Sequence, residues 1–83
     1  MKRFIVNSNL PQSKSDGIAL VRSVPKMLKD EKIKDVKLTT AYCCTPEGKI
    51  IAEFEGPDKE TVSSALNKIG MPFTTVTEAT KIV

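Results

Sequence analysis

Hydrophobic and polar residues change their spacing several times along the chain, and each change predicts a new element of secondary structure. The apolar run at residues 4–6 precedes the loop sequence NSNLPQ and predicts a strand at about residues 2–8. Ser13 and Asp16 then resemble a capping box, so a helix is expected to begin there. Its apolar face has helical spacing and comprises Ile18, Val21, Val24 or Pro25, and Leu28, with Leu20 and Met27 in support.

Pro25 lies inside this helical stripe. Proline has no amide hydrogen to donate and its ring clashes with the preceding turn, which costs about 3 kcal/mol in a helix interior. The sequence therefore predicts a kink or a break near Val24, with Ser23 as the cap of a restarted helix.

Two β-rich stretches on either side of the sequence TPEGK predict a hairpin. Their bounds are residues 36–45 and residues 49–55. Pro46 suits the first central position of a type I turn, and Gly48 supplies the positive φ that a bulge after such a turn requires.

The last third of the chain predicts a helix and a final strand. Gly56 and Pro57 end the preceding strand, and Asp58 can cap the helix. Gly70 is the expected residue after its C terminus. The apolar face of this helix follows the spacing i, i+3, i+4, i+7 and comprises Val62, Ala65, Leu66 and Ile69. Residues 73–82, rich in threonine and valine, predict the strand.

The predicted element order is β-α-β-β-α-β, in one domain that covers residues 1–83. Crossovers of this length are right-handed, which leaves few topologies. The order favours the α+β class and the ferredoxin-like βαββαβ sandwich, a four-stranded antiparallel sheet with two helices on one face. The first and third strands are expected at its centre.

The hairpin register decides where the only two cysteines of the chain point. A three-residue loop pairs Cys44 with Ile50. A four-residue loop instead pairs Cys43 with Ile50 and sets Leu38 against the charge of Glu55. The first register is therefore predicted. Neighbouring residues of a strand face opposite sides, so Cys44 is expected to face the helices and Cys43 the open face of the sheet.

This arrangement argues against a site built on both cysteines. Thiols on opposite faces cannot bind one metal ion, and a disulfide between adjacent residues requires a strained turn. The chain has no histidine, the commonest general base and transition-metal ligand. We expect no metal, no cofactor and no catalytic residue, and an enzyme is the less favoured reading.

The open face suits a contact with a second copy of the chain. The predicted register gives it an apolar centre of Ile5, Ala41, Cys43 and Ile51. Charged side chains surround that centre, namely Arg3, Lys37, Glu53 and Glu55. An apolar centre within a charged rim is typical of a homodimer interface or of one wall of a ligand cavity, and a solvent-facing sheet is the alternative.

Four residues are candidates for contact with a small ligand: Asn7, Asn9, Tyr42 and Cys43. Asn7 and Asn9 precede the first helix, whose N terminus suits a small anion, although such residues also serve ordinary turns. A small enzyme is the second hypothesis. It would be a monooxygenase-like dimeric α+β barrel with its cavity between sheet and partner.

The net charge of +3 gives weak support to nucleic-acid binding. The segment 26–37 begins with Lys26 and ends with Lys37, but its lysines alternate with Asp30, Glu31 and Asp35. RNA-binding modules of this topology stack bases on aromatic residues of the open face, where this chain has Arg3, Ile5, Ile51, Glu53 and Glu55. Nucleic acid is therefore an unlikely partner, and binding through segment 26–37 is the third hypothesis.

The cytoplasm is the expected location. No apolar run approaches the ~20 residues that span a membrane, and the apolar stretch of MKRFIVNSNLPQ is short for a signal peptide. Two cysteines are too few for a secreted disulfide framework.

Residues 41–70 resemble a family of small bacterial and archaeal ferredoxin-like domain proteins that are uncharacterised, some of them described as nickel-binding. The matching positions are Tyr42, Glu47, Gly48, Glu55, Pro57 and the helix that carries Val62. The resemblance implies a dimeric α+β fold. The metal sites of that family are built largely on histidines, so the resemblance carries no nickel ligand to this chain.

Overall fold

A computed structural model describes residues 1–9, 14–44, 48–80 and 82, without the side chains of residues 14–16 and 44. Its elements are β1 Lys2–Asn9, α1 Lys14–Asp30, β2 Lys37–Cys44, β3 Lys49–Gly56, α2 Lys59–Ile69 and β4 Thr75–Ala79. The element order is the predicted one. The capping box at Ser13 and Asp16 and the turn at Pro46 lie outside the residues and side chains that the structure describes.

The strands form an antiparallel sheet with the order β2-β3-β1-β4. The predicted α+β class, the ferredoxin-like topology and the central position of β1 and β3 are confirmed. Burial alternates along both central strands, so that one face is closed and the other open. The closed face packs against the helices through side chains that are almost fully buried: Phe4, Val6, Val24, Ala52, Phe54, Val62 and Leu66.

Helix α1 continues through Pro25, so of the kink or break predicted near Val24, the break is wrong. Val24 is fully buried while Pro25 is exposed, which places the proline ring on the solvent side of the helix. The Ser23 hydroxyl does not cap a new helix, because it donates a hydrogen bond of 2.8 Å to the Ala19 carbonyl one turn earlier. Burial of the apolar face stabilises the helix enough to offset the hydrogen bond that proline lacks.

A residue with a left-handed backbone conformation follows the C terminus of α1. Lys32 has φ 58°, and the Ile33 amide donates to the Leu28 carbonyl at 2.9 Å. This is the geometry of a Schellman cap, in which glycine usually occupies the left-handed position. A lysine there is sterically strained by its Cβ.

Helix α2 begins and ends as predicted. The Asp58 side chain accepts a 2.7 Å hydrogen bond from the Thr61 amide, and Gly70 is left-handed with φ 75°. Gly56, at the end of β3, lies against the helix so closely that a Cβ there would be 2.6 Å from Cγ2 of Val62. Glycine is therefore required at this position by packing, in addition to ending the strand.

The predicted hairpin register is wrong, and a β-bulge explains why. Cys43 pairs with Ile50 and Cys44 with Lys49, which is the register of the longer loop. The objection to that register was the pairing of Leu38 with Glu55. Thr39 is the extra residue of a bulge between Leu38 and Thr40. It changes the partner of Leu38 from Glu55 to Phe54 and so removes the conflict.

The bulge also reverses the predicted faces of the β2 residues that follow it. Ala41 and Cys43 pair with the buried residues Ala52 and Ile50, so they lie on the helix side of the sheet and do not belong to the open face. The predicted inward orientation of Cys44 concerns a side chain outside those the structure describes.

Strand β4 is shorter than the predicted 73–82. Before it begins, Thr74 donates from both its amide and its hydroxyl to the Asn7 carbonyl, at 2.7 and 3.0 Å. Nearby, the buried Ser8 hydroxyl donates to the Pro72 carbonyl at 2.6 Å. These bonds attach the segment between α2 and β4 to the end of β1.

Candidate functional site

The open face of the sheet carries a small apolar strip. Ile51 lies opposite Tyr42 on β2 and opposite Asn7 on β1, and Ile5 lies diagonally from Ile51. Both isoleucines are half-buried, whereas the Tyr42 side chain is exposed, at 66% of its maximum. A depression of about 440 Å³ extends over this strip and is also lined by Thr40.

A cluster of charged side chains lies on the same face, toward the opposite end of the strands from the apolar strip. Nη1 of Arg3 is 3.0 Å from Oε2 of Glu53, and Nη2 is 3.8 Å from Oε1 of Glu55. The Thr39 hydroxyl lies 2.8 Å from the same Glu53 oxygen. Arg3 and both carboxylates are about one-third exposed. With one arginine and two glutamates, the cluster has a net charge of −1.

A second concavity lies on the helix side, between α1 and the edge strand β2. It has a volume of about 290 Å³ and an apolar wall that includes Val21 and Ile50. Three polar residues border it: Arg22, Cys43 and, at the edge of the sheet, Tyr42, whose side chain the register directs to the open face. Cys43 is a free thiol and half-buried.

The structure brings together two of the four predicted ligand candidates. Tyr42 and Cys43 line the helix-side cleft together. Asn7 does not reach it, because its amide nitrogen donates a 3.0 Å hydrogen bond to the Thr75 hydroxyl on β4. Asn9 is exposed at the end of β1. Arg22 is a cleft residue that the sequence did not reveal, since it lies on α1 without any motif around it.

The described residues show little that is typical of a catalytic centre. Asp58 has a lowered pKa, because the Thr61 amide donates a hydrogen bond to its carboxylate. That displacement belongs to a helix cap. In the same part of the chain, no three acidic or sulfur-bearing side chains lie close enough to hold a metal ion.

Neither α1 nor α2 is long and apolar enough to cross a bilayer.

The chain is similar to a protein of known structure, SCO4226 from Streptomyces coelicolor A3(2). The two superpose with a TM-score of 0.76 over 98% of this chain and 99% of the other, with 18% sequence identity. No family model matches the chain, and no curated protein is detectably similar. At 18% identity, the TM-score of 0.76 shows a common fold alone. These comparisons therefore support the α+β fold and assign neither an activity nor nickel binding.

Proposed function

We propose that the protein is a small non-catalytic domain that forms a homodimer through the open face of its sheet. The observation that carries the proposal is the exposure of Tyr42 beside half-buried Ile51 and Ile5 on a face without helices. An exposed tyrosine beside isoleucines, with charged side chains next to them, is typical of protein interfaces. Of the apolar residues first expected there, Ile5 and Ile51 are retained, and Tyr42 replaces Ala41 and Cys43.

The charge pattern supports a second copy as the occupant. Lys37, Glu55, Arg3 and Ala79 form one row across the four strands. Consider a twofold axis that runs parallel to the strands between β3 and β1. It sets Arg3 of one protomer against Glu55 of its partner, and the reverse. Such a contact is isologous and pairs opposite charges twice.

The area of the face limits the affinity of the dimer. With strands ~4.8 Å apart and ~3.3 Å per residue, the four-stranded face covers about 500 Å² per protomer. Two such faces bury roughly 1,000 Å², the lower end for a specific interface. We therefore expect a reversible dimer with a Kd in the micromolar range.

Charge exchange at the proposed contact tests the model by sedimentation velocity from about 10 μM to 1 mM. Arg3→Glu and Glu55→Arg should each weaken dimerisation by about tenfold, since each brings like charges together across the axis. The double variant should restore the pairing of opposite charges across the axis. Its recovery should be only partial, because Glu53 of the same protomer, which contacts Arg3, repels the new glutamate. Equal association of all four proteins would refute this geometry, and a strict monomer at 1 mM would refute the dimer itself.

Ligand binding in the helix-side cleft is a second candidate function. Its support is the position of Arg22 and Cys43 beside an apolar wall, with Tyr42 at the edge of the cleft. A thermal-shift screen of small carboxylates and phosphates is the first step. A true ligand of the cleft should slow alkylation of Cys43 by iodoacetamide in a Cys44→Ser background. Stabilisation without protection of Cys43 would place the ligand elsewhere.

We also propose a reducing compartment such as the cytoplasm. Cys43 is present as a free thiol on a regular strand, where a disulfide with its neighbour in sequence is geometrically disfavoured.

A further inference from the structure

A third concavity, at the C-terminal end of α1, has a rim of lysines. Its volume is about 350 Å³, and four lysines line it: Lys29, Lys32, Lys34 and Lys37. All four are exposed. Within the described part of the chain, none of them is within salt-bridge distance of a carboxylate. Four positive charges thus surround one depression without local neutralisation.

Folding separates charges that alternate along the sequence. Asp30, Glu31 and Asp35 lie between these lysines in the chain, but none of the three lines the depression. Asp35 instead borders another concavity, beside Asp58 and Glu60. The mixed segment 26–37 therefore presents a one-sign surface on one side, which its sequence did not indicate.

The floor of the depression is aliphatic. It is formed by Leu28 and Val36, which are buried, and by Leu38, which is half-buried. The floor has no aromatic ring among its lining residues, so it offers no stacking surface for a nucleobase. An aliphatic floor under a cationic rim matches a molecule with an alkyl portion and an anionic group.

The C terminus of α1 repels an anion only weakly. The C terminus of a helix carries about half a negative charge. Carbonyls of the last turn already accept hydrogen bonds, from the Glu31 amide to Met27, from Lys32 to Lys29 and from Ile33 to Leu28. Four lysines outweigh this partial charge, and they favour a dianion over a monoanion.

We propose that this depression binds a soluble phosphate monoester with a single alkyl chain. The phosphate carries about −1.5 to −2 charges at pH 7 and is held by the lysine ammonium groups, while the alkyl chain lies on the aliphatic floor. The site shares the edge residue Lys37 with the proposed dimer face, but its floor and its other three lysines lie outside that face, so it does not depend on the dimer.

Alkyl phosphates of increasing length, below their micellar concentration, test the proposal by isothermal titration and by shifts of methyl NMR signals. A fully buried methylene contributes about 0.8 kcal/mol, or about fourfold in Kd. On this half-open floor we expect about twofold per methylene from ethyl to octyl phosphate, with shifts at Leu28, Val36 and Leu38. Lys29→Gln/Lys34→Gln should weaken octyl phosphate about tenfold. The control Lys59→Gln/Lys68→Gln on α2 removes the same charge and should leave the Kd within about twofold.

Several results would overturn the proposal. These are equal affinity for ethyl and octyl phosphate, equal effects of the two double variants, or no binding of octyl phosphate at millimolar concentration. Lysine-dependent flotation with phosphatidic acid vesicles but no binding of monomeric octyl phosphate would assign the patch to a membrane surface instead. Tighter, steeply salt-dependent binding of a single-stranded oligonucleotide, with no effect of alkyl length, would assign it to nucleic acid.

Discussion

The Thr39 hydroxyl lies 2.8 Å from Oε2 of Glu53 and 2.9 Å from the Glu53 carbonyl, at the point where β2 contains one residue more than β3. The bulge residue is thus held against the strand that it interrupts. This relationship sets which side chains of β2 reach the open face, and the proposed interface depends on it.

Deletion of Thr39 should leave the hairpin register intact. The deletion joins Leu38, which pairs with Phe54, to Thr40, which pairs with Glu53, and alternation continues without a bulge. We expect a folded protein within about 1 kcal/mol of the parent, because the lost hydrogen bonds are exposed. Cross-strand NOEs between Cys43 and Ile50 should persist. Deletion of Ala41 is the control. It should destabilise the fold more, since it either shifts Tyr42 to the helix side or closes the bulge with Thr40 opposite the buried Ala52. Loss of the Cys43–Ile50 pairing on deletion of Thr39 would contradict the bulge assignment.

Gly56→Ala should destabilise the protein by roughly 1–3 kcal/mol. The added methyl would lie 2.6 Å from Cγ2 of Val62, whose rotamer is restricted within α2. In the background of Val62→Ala, which itself costs about 2 kcal/mol, the same change should cost at least 1 kcal/mol less. Urea denaturation of the four proteins measures this coupling, and strictly additive effects would show that the contact does not limit the position.

Asp58 should contribute a pH-dependent part of the stability. The Thr61 amide holds the pKa of its carboxyl below the ordinary value, so the folded state favours the ionised form. The contribution is complete above the ordinary aspartate pKa of about 3.9 and is lost as the pH falls through the lower folded pKa. The difference between the wild type and Asp58→Asn in urea midpoint should shrink over this window, and a constant difference from pH 7 to pH 2 would contradict it.

Lys32→Gly should stabilise the fold by about 1 kcal/mol, since glycine adopts the left-handed conformation without a Cβ clash. Lys29→Gly removes the same side chain from the helical part of α1 and should cost about 1 kcal/mol instead. Thermal unfolding of both variants measures the contrast. Destabilisation by both would show that Lys32 gains more from its side chain than it loses in backbone strain.

The fold was predictable because local signals agreed with the global order. Asp58 and Gly70 delimit α2 by hydrogen-bond chemistry that depends only on neighbours in sequence. Pro25 misled the prediction because the cost of a proline is local, whereas the burial of Val24 that offsets it depends on the tertiary fold.

The candidate site was less predictable, because one unmarked residue reverses it. Thr39 has no glycine or proline beside it to indicate a bulge, and its neighbour Thr40 is chemically identical. The lysine-rimmed depression was invisible for a similar reason. Its lysines come from α1, from the segment after α1 and from β2. They are separated from the carboxylates that lie between them in sequence only when the chain is folded.

Sedimentation equilibrium of wild type, Ile51→Glu and Ile82→Glu tests the central claim most directly. Ile51 belongs to the apolar strip of the open face, between Tyr42 and Asn7, and Ile82, which is 89% exposed near the C terminus, provides a matched control. We expect a concentration-dependent dimer for wild type and Ile82→Glu, and a monomer for Ile51→Glu up to about 1 mM. A monomeric wild type over this range, or a dimer unaffected by Ile51→Glu, would contradict it.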